Sequence, residues 1–354
     1  MWMEVRQRRF EASSQSQRWG IPMRMKKFVN KPENLVRELL EGFALAFPDK
    51  ICLAGPNTIV RRVSKTPEKV RLVTLGGSGH EPGLSGFVGE GMLDYSVAGE
   101  IFAAPGAPKC LEAIRSACAG GSSALLIVLN HAGDVLSANI AMDAALREGL
   151  NVKMVLTHDD VAGGPNLQER RGLVGFVPVY KVAGAAAEGG ETLDSCAEIA
   201  QRMERNTRTL AVALRTATHP STGSAIFELG DDEMEVGMGQ HGEAGTGRMA
   251  LKTADGTAEI MLTMLLQDLA VTAGEEVLVL VNGAGATTLM ELLIVFRRVA
   301  QILDVKKIKL VRSAVGEFIT TQEQAGFQLM IARMDRELIR LWDAPADAPF
   351  FCRA

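Results

Sequence analysis

Five histidines occur in the 354 residues, and two of them share a setting: glycines on the amino side and a glutamate close behind. They are His80, in L-G-G-S-G-H-E-P, and His241, in G-M-G-Q-H-G-E. A neutral imidazole, with an unperturbed pKa of ~6.5, can accept a proton, return it or attack an electrophile near pH 7. Glycines around it let a ligand approach the backbone closely. A third candidate is Asp134, in N-H-A-G-D. It reads either as a helix N-cap, worth about 1 kcal/mol, or as a carboxylate held beside a ligand. For either histidine alone a structural role, such as an imidazole on a tight turn, stays open. His131, His158 and His219 read as loop or flanking residues. The pair Asp159-Asp160 and the run 231–233 read as solvated surface charge. No histidine stands in H-E-x-x-H or another ligand pair, so the sequence gives no metal site.

The elements that must carry these residues follow from apolar spacing. Residues 34–43 have helical spacing, and Pro48 ends that helix. Residues 70–75 read as a strand running into the glycine loop 76–80. A second Gly/Pro loop covers 99–105. Residues 108–119 read as a helix, 124–129 (A-L-L-I-V-L) as a buried strand, 135–150 as a helix and 152–156 as a strand. Strands alternating with helices predict a mostly parallel sheet, whose strand ends gather sites. The ends after Leu75, Leu129 and Leu156 carry His80, His131 with Asp134, and His158. A charged helix, 193–205, closes this half. A second set follows: strands at 209–214, 276–281, 307–311 and 327–332, helices at 256–270 and 288–303, and a weakly periodic, glycine-rich segment at 233–243. The expected fold class is therefore α/β, with two α/β domains, each a central sheet flanked by helices. The domains are 25–205, with the glycine loop, and 206–354, with His241. Residues 1–24, with five arginines, read as a disordered extension or an upstream start codon. An organelle-targeting peptide is the other reading.

The totals remove several function classes. A net charge of −4 and few aromatic residues (two Tyr, three Trp) argue against nucleic-acid binding. No apolar run reaches the ~18 residues of a membrane-spanning helix. Five scattered cysteines form no C-x-x-C pair, which suits a reducing cytoplasm. No G-x-x-x-x-G-K-[ST] is present, and the loop at 76–80 lacks the lysine of a phosphate cradle. The one G-x-G-x-x-G, at Gly237, Gly239 and Gly242, neither follows an apolar strand nor opens a helix. The chain is therefore not expected to bind a nucleotide by itself.

Seven segments in order resemble the K subunit of the dihydroxyacetone kinase family: L-G-G-S-G-H-E-P (75–82), G-E-I-F-A-A-P (99–105), N-H-A-G-D-V-L (130–136), R-R-G (170–172), E-M-E-V-G-M-G-Q-H-G-E-A-G (233–245), V-N-G-A-G-A-T (281–287) and L-W-D-A-P (341–345). They span nearly everything after Met25. The resemblance implies a two-domain subunit, usually a homodimer, that binds dihydroxyacetone (glycerone) or a similar short ketose. It implies that His241 adds to the substrate carbonyl as a covalent hemiaminal. His80 and Asp134 would be acid/base and orienting groups at the hydroxyl that receives the phosphate. Gly77, Ser78 and Gly79 would give backbone contacts to the ketose. No cofactor is expected in this chain; ATP, or ADP recharged by a phosphotransferase system, would sit with magnesium on a nucleotide-binding L-type subunit.

Some positions depart from that pattern. Where bacterial members usually read Lys-Asn-Tyr-Thr, this chain has Leu129-Asn130-His131-Ala132. Thr320-Thr321-Gln322-Glu323 replaces a Ser-Leu-Asp-Met run, and His219-Pro220 is unusual. Smaller side chains would suit a four-carbon ketose such as erythrulose. A different class of function is a non-catalytic, ketose-binding co-activator. Such a sensor needs only the binding histidine, so His80 and Asp134 beside His241 favour the kinase.

Overall fold

The computed structural model describes residues 26–354 except Ser64, Lys65, Pro67, Gln240, His241, Ala244 and Thr246. The expected extension at 1–24 and the covalent candidate His241 thus lie outside the described residues.

The first half opens with helix α1 (Leu35–Ala46) and builds a six-stranded sheet. Its strands are β1 (Ile51–Leu53), β2 (Thr58–Arg61), β3 (Arg71–Ser78), β4 (Tyr95–Ile101), β5 (Ala124–Leu129) and β6 (Val152–Thr157), in the order β1-β2-β4-β3-β5-β6. The run β4-β3-β5-β6 is parallel, with α2 (Ala107–Ala117) and α3 (Ala132–Arg147) as crossovers. Helices α4 (Phe176–Glu188) and α5 (Leu193–Arg205) then lead to a second six-stranded sheet. It comprises β7 (Thr207–Arg215), β8 (Glu233–Val236), β9 (Gly247–Ala250), β10 (Glu276–Gly283), β11 (Lys309–Gly316) and β12 (Ala325–Arg333), ordered β11-β10-β12-β7-β8-β9. Helices α6 (Ala254–Leu269) and α7 (Leu289–Val305) lie in its sequence; α8 (Arg336–Asp343) and a hairpin of β13 (Ala346–Ala348) and β14 (Phe351–Arg353) end the chain.

The two sheets differ in hand of pairing. In the second, only β10 and β11 are parallel, joined by the α7 crossover. The other pairs are antiparallel, so a mostly parallel sheet describes the first half alone. Strands β8 and β9 are joined by a connection too short to hold a crossover helix, which forces the antiparallel arrangement.

Period-two alternation along the strands sorts side chains into separate cores. Leu125 and Ile127 of β5, and Leu278 and Leu280 of β10, face one central layer built on α4, α5 and α8. Leu126 and Val128 face α2 and α3. Val277, Val279 and Val281 face α6 and α7. The molecule is thus five layers deep, with the two sheets on either side of the α4, α5 and α8 layer. Residues 176–187 of α4 are all buried. A helix covered on every side shows no amphipathic period, so spacing alone does not reveal it. Its Lys181 is fully buried and donates to the Leu341 carbonyl oxygen at 2.7 Å; burial brings its pKa down to about 8.

Asp159 and Asp160 correct an expectation: they are 1% and 0% exposed, where solvated charge was expected. Asp159 accepts hydrogen bonds from the backbone N–H groups of Leu173 and Gly175, both at 2.9 Å, at the entry to α4. Its own carbonyl accepts from Thr209 N–H at 2.7 Å, at the start of β7. Burial pushes Asp160 up to about 6 against the pull of Arg171. Distant backbone donors satisfy Asp159, while Asp160 accepts from Ala162 N–H and the Arg171 guanidinium, and the sequence pattern gives no sign of either. Asp159→Ala leaves two buried N–H groups without an acceptor, each costing about 1–3 kcal/mol. We expect a loss of about 3 kcal/mol in a urea titration, visible as a lower midpoint at unchanged slope.

Candidate active site

Strand β3 carries the glycine segment to the site. Gly76, Gly77 and Ser78 are its last three residues, so the expected loop begins later, at Gly79, where φ reaches +98°. The glycines are required by crowding. A Cβ on Gly77 would lie 2.8 Å from the Ala103 nitrogen, inside the turn that follows β4. That strand runs on through Ile101, shortening the expected loop at 99–105, and Phe102 then takes φ +56°.

His80 is 5% exposed and its Nδ1 is 2.8 Å from the Thr320 carbonyl oxygen. A carbonyl can only accept, so Nδ1 carries the hydrogen and the neutral ring holds its lone pair on Nε2. The turn is stapled to the second half: Thr320 N–H donates to His80 O, and Thr320 Oγ1 donates to Glu81 O. The Phe102 ring lies 5.0 Å from that of His80 and 5.4 Å from that of His219.

Asp134 is 9% exposed and sits in the first turn of α3. It is the third helical residue; the N-cap is His131, whose side chain makes no capping bond. The cap reading of Asp134 is therefore replaced by a carboxylate at the positive end of the helix dipole, which favours its ionised form. The His131 ring is held by Nε2–H donating to the Gly172 carbonyl oxygen at 2.9 Å, which leaves the neutral ring's lone pair on Nδ1.

These residues meet. A cavity of about 380 Å³ is lined by Gly76, Gly77, His80, Leu84, Phe102, Ala103, Ala104, Leu129, His131, Ala132, Gly133, Asp134, Glu243 and Ile319. Strands β3 and β5, the turn after β4 and helix α3 form its floor, while Ile319 and Glu243 come from the second half. Ser78 and Gly79 are not on its lining. Ser78 Oγ donates instead to the Gly99 carbonyl oxygen at 2.8 Å, and the Gly79 carbonyl accepts from Gln322 Nε2 at 3.1 Å. His158 is elsewhere, its Nδ1 3.4 Å from Glu204. A second cavity, of about 350 Å³, also reaches Gly76 and Gly77, but Leu39, Leu40, Phe43, Pro82 and Phe350 make its lining largely hydrocarbon. A polar substrate with several hydroxyls finds its partners in the first.

Sequence reasoning gave no role to His131, Phe102 and Glu243. All three lie inside segments already singled out, N-H-A-G-D, I-F-A-A-P and H-G-E, so the signal was their adjacency to the candidates. Among the described residues, no group of three or more His, Cys, Asp or Glu is arranged to hold a metal ion. No described helix is long and apolar enough to cross a membrane.

A family model described as the Dak1 domain matches residues 41–350, most of the chain and the whole of this site. The chain belongs to the Dak1 domain family. Among Dak1 relatives, the dihydroxyacetone-binding subunit DhaK of a PTS-dependent dihydroxyacetone kinase 2 from Listeria innocua is 36% identical over 329 residues, covering 92% of this chain and 99% of that protein. The L-erythrulose kinase of Pectobacterium atrosepticum is 37% identical over 333 residues, covering 92% of this chain but 56% of that longer protein. Among solved structures, the dihydroxyacetone kinase operon co-activator Dha-DhaQ superposes with a TM-score of 0.85 at 28% identity, over 90% of this chain and 98% of that one. The Dak1 assignment agrees with the K-subunit resemblance of the seven segments and with two α/β units, each a sheet flanked by helices.

Proposed function

We propose that this chain is the ketose-binding catalytic subunit of a two-component kinase for dihydroxyacetone or a close short-chain ketose. It is an enzyme transferring phosphate to an alcohol group. The observation that carries the reading is the convergence of His80 and Asp134, 54 positions apart in sequence, with Glu243 on one polar cavity. Glu243 stands two residues beyond His241 and is the described residue that brings this segment to the cavity.

In the proposed mechanism, a ring nitrogen of His241 attacks the substrate carbonyl carbon. The carbonyl π pair moves to oxygen, which takes up a proton as the ring N–H is lost. The product is a hemiaminal that retains every atom of the ketose. His80 Nε2 then accepts the proton of the hydroxyl that attacks the phosphorus, with its ring anchored through Nδ1–H. Asp134 orients that hydroxyl. Gly77 gives the ketose close backbone contact; Ser78 and Gly79 support that strand end from behind it. The phosphoryl donor is held by a separate nucleotide-binding L-type subunit carrying ATP, or ADP and a phosphotransferase-system donor, with its magnesium. Support for the separate donor comes from the Listeria relative, which is named as a dihydroxyacetone-binding subunit and matches over 99% of its length. The same proposal includes a boundary near 205–206, a homodimer, a cytoplasmic location and a place in glycerol metabolism.

A four-carbon ketose is a second reading, favoured by His131 and Ala132 on the cavity wall and by the erythrulose kinase relative. Three- to five-carbon ketoses, assayed with the nucleotide-binding subunit and ATP, separate these readings. We expect turnover with dihydroxyacetone or erythrulose and none with glycerol, which has no carbonyl. Binding of a ketose without turnover of any would replace the kinase with the co-activator reading, which the Dha-DhaQ likeness also fits.

A further inference from the structure

The segment Arg170-Arg171-Gly172 has no part in the chemistry above, yet it ties β5, α6 and the 237–239 backbone together beside the cavity. Arg170 is 3% exposed and forks onto Asp268 of α6, with Nη1 to Oδ1 at 2.8 Å and Nη2 to Oδ2 at 2.5 Å. Gly172 lies against the end of β5, where a Cβ would come 2.4 Å from Thr157 Oγ1 and 2.9 Å from Leu129 Cα. Its carbonyl holds the His131 ring.

Arg171 reaches the remaining wall. Its Nε donates to Asp160 Oδ2 at 2.7 Å, its Nη2 lies 2.6 Å from the same oxygen in the ion pair, and Nη2 donates to the Gly237 carbonyl oxygen at 2.8 Å. A Cβ on Gly239 would come within 2.2 Å of Glu243 Oε2 and 2.3 Å of Arg171 Nη1. The guanidinium and the Glu243 carboxylate therefore both crowd the bare Gly239 Cα. Gly239 N–H also donates to the Glu243 carbonyl at 2.9 Å, closing the segment on itself. Arg171 is absent from the cavity lining, whereas Glu243 is part of it.

We propose that Arg171, braced by the buried carboxylate of Asp160, is a positioning residue that fixes the 237–239 backbone and, through it, Glu243 at the cavity. The inference rests on the ketose reading above, because the segment from 237 to 243 carries His241. Three glycines, at 237, 239 and 242, give this stretch of sequence many backbone states in isolation. A rigid fork of five donors can hold the Asp160 carboxylate and the Gly237 carbonyl together beside Gly239; a lysine ammonium has no such planar fork.

The test separates positioning from the loss of an ion pair. Arg171→Ala alone strands a buried carboxylate and threatens the fold, so the informative variants are Asp160→Asn/Arg171→Ala and Arg171→Lys. Each is titrated with dihydroxyacetone and with erythrulose, following adduct occupancy by intact mass, KM and kcat with the nucleotide subunit, and Tm. We expect the double variant to keep a Tm near that of the parent chain. Its half-saturating ketose concentration should rise about ten- to hundredfold, the scale of a displaced reacting group, and Arg171→Lys should not rescue it. Parent-like saturation in the double variant, or full rescue by lysine, overturns the proposal and reduces Arg171 to charge neutralisation. A parent chain that takes up neither ketose fells the ketose reading, and this inference with it.

Discussion

His241→Ala is expected to abolish the mass that the parent chain gains from its ketose, while leaving the protein folded. The gain should equal the whole ketose, because addition to a carbonyl expels no water; an imine would fall short by one water. The size of the effect follows from the chemistry. Only an imidazole lone pair is available to attack, alanine offers none, and no partial bond replaces it. Folding should survive because the replacement falls in a glycine-rich connection of the sequence between β8 and β9, outside both strands. The measurements are intact mass spectrometry and circular dichroism on the same samples. An unchanged adduct on the variant would move the covalent bond to another residue, and His131 would be the next to replace, since it lines the same cavity.

His80→Ala and Asp134→Asn are expected to give the opposite pattern: adduct retained, phosphoryl transfer reduced by roughly 10²–10⁴-fold, the usual contribution of a positioned acid or base. His80 has its Nδ1 within hydrogen-bond distance of the Thr320 carbonyl, and in the proposal Nε2 takes the proton. Asparagine at 134 keeps the shape at the start of α3 but removes the charge that the helix end supports. Single-turnover transfer from the ATP-loaded nucleotide subunit to a preformed adduct gives the direct readout. Full transfer in either variant would leave that residue a structural part of the cavity. Loss of adduct and transfer together would place it in ketose binding.

Much of this was legible in the sequence because the informative segments are local. Residues 124–129 form β5 and 193–205 form α5 with the bounds that apolar spacing gives. His80 and Asp134 were visible from glycine-rich strand ends. Other features depend on contacts between distant positions. Helix α4 lacks a period because both sheets cover it. Asp159 and Asp160 look like surface charge until the backbone donors from 162 to 175 and the Arg171 fork are seen to converge on them. The glycines at 76 and 77 suggested a loop, since a strand without side chains has no alternation to read. Glu243 and Ile319 reach the cavity only because the second sheet lies across α4 from the first.

That shared layer bears on how the protein can be taken apart. A cut at 205–206 separates the strands of one sheet from those of the other, yet the faces of β10 and β12 that meet the α4 layer would be left bare on one fragment, and α4 itself on the other. Each piece would expose a broad sticky surface, the kind that drives precipitation. Exchange of halves between related genes therefore succeeds only when both sides of the α4 layer travel together. For recombination, 205–206 is a seam in the chain that runs through the middle of a core.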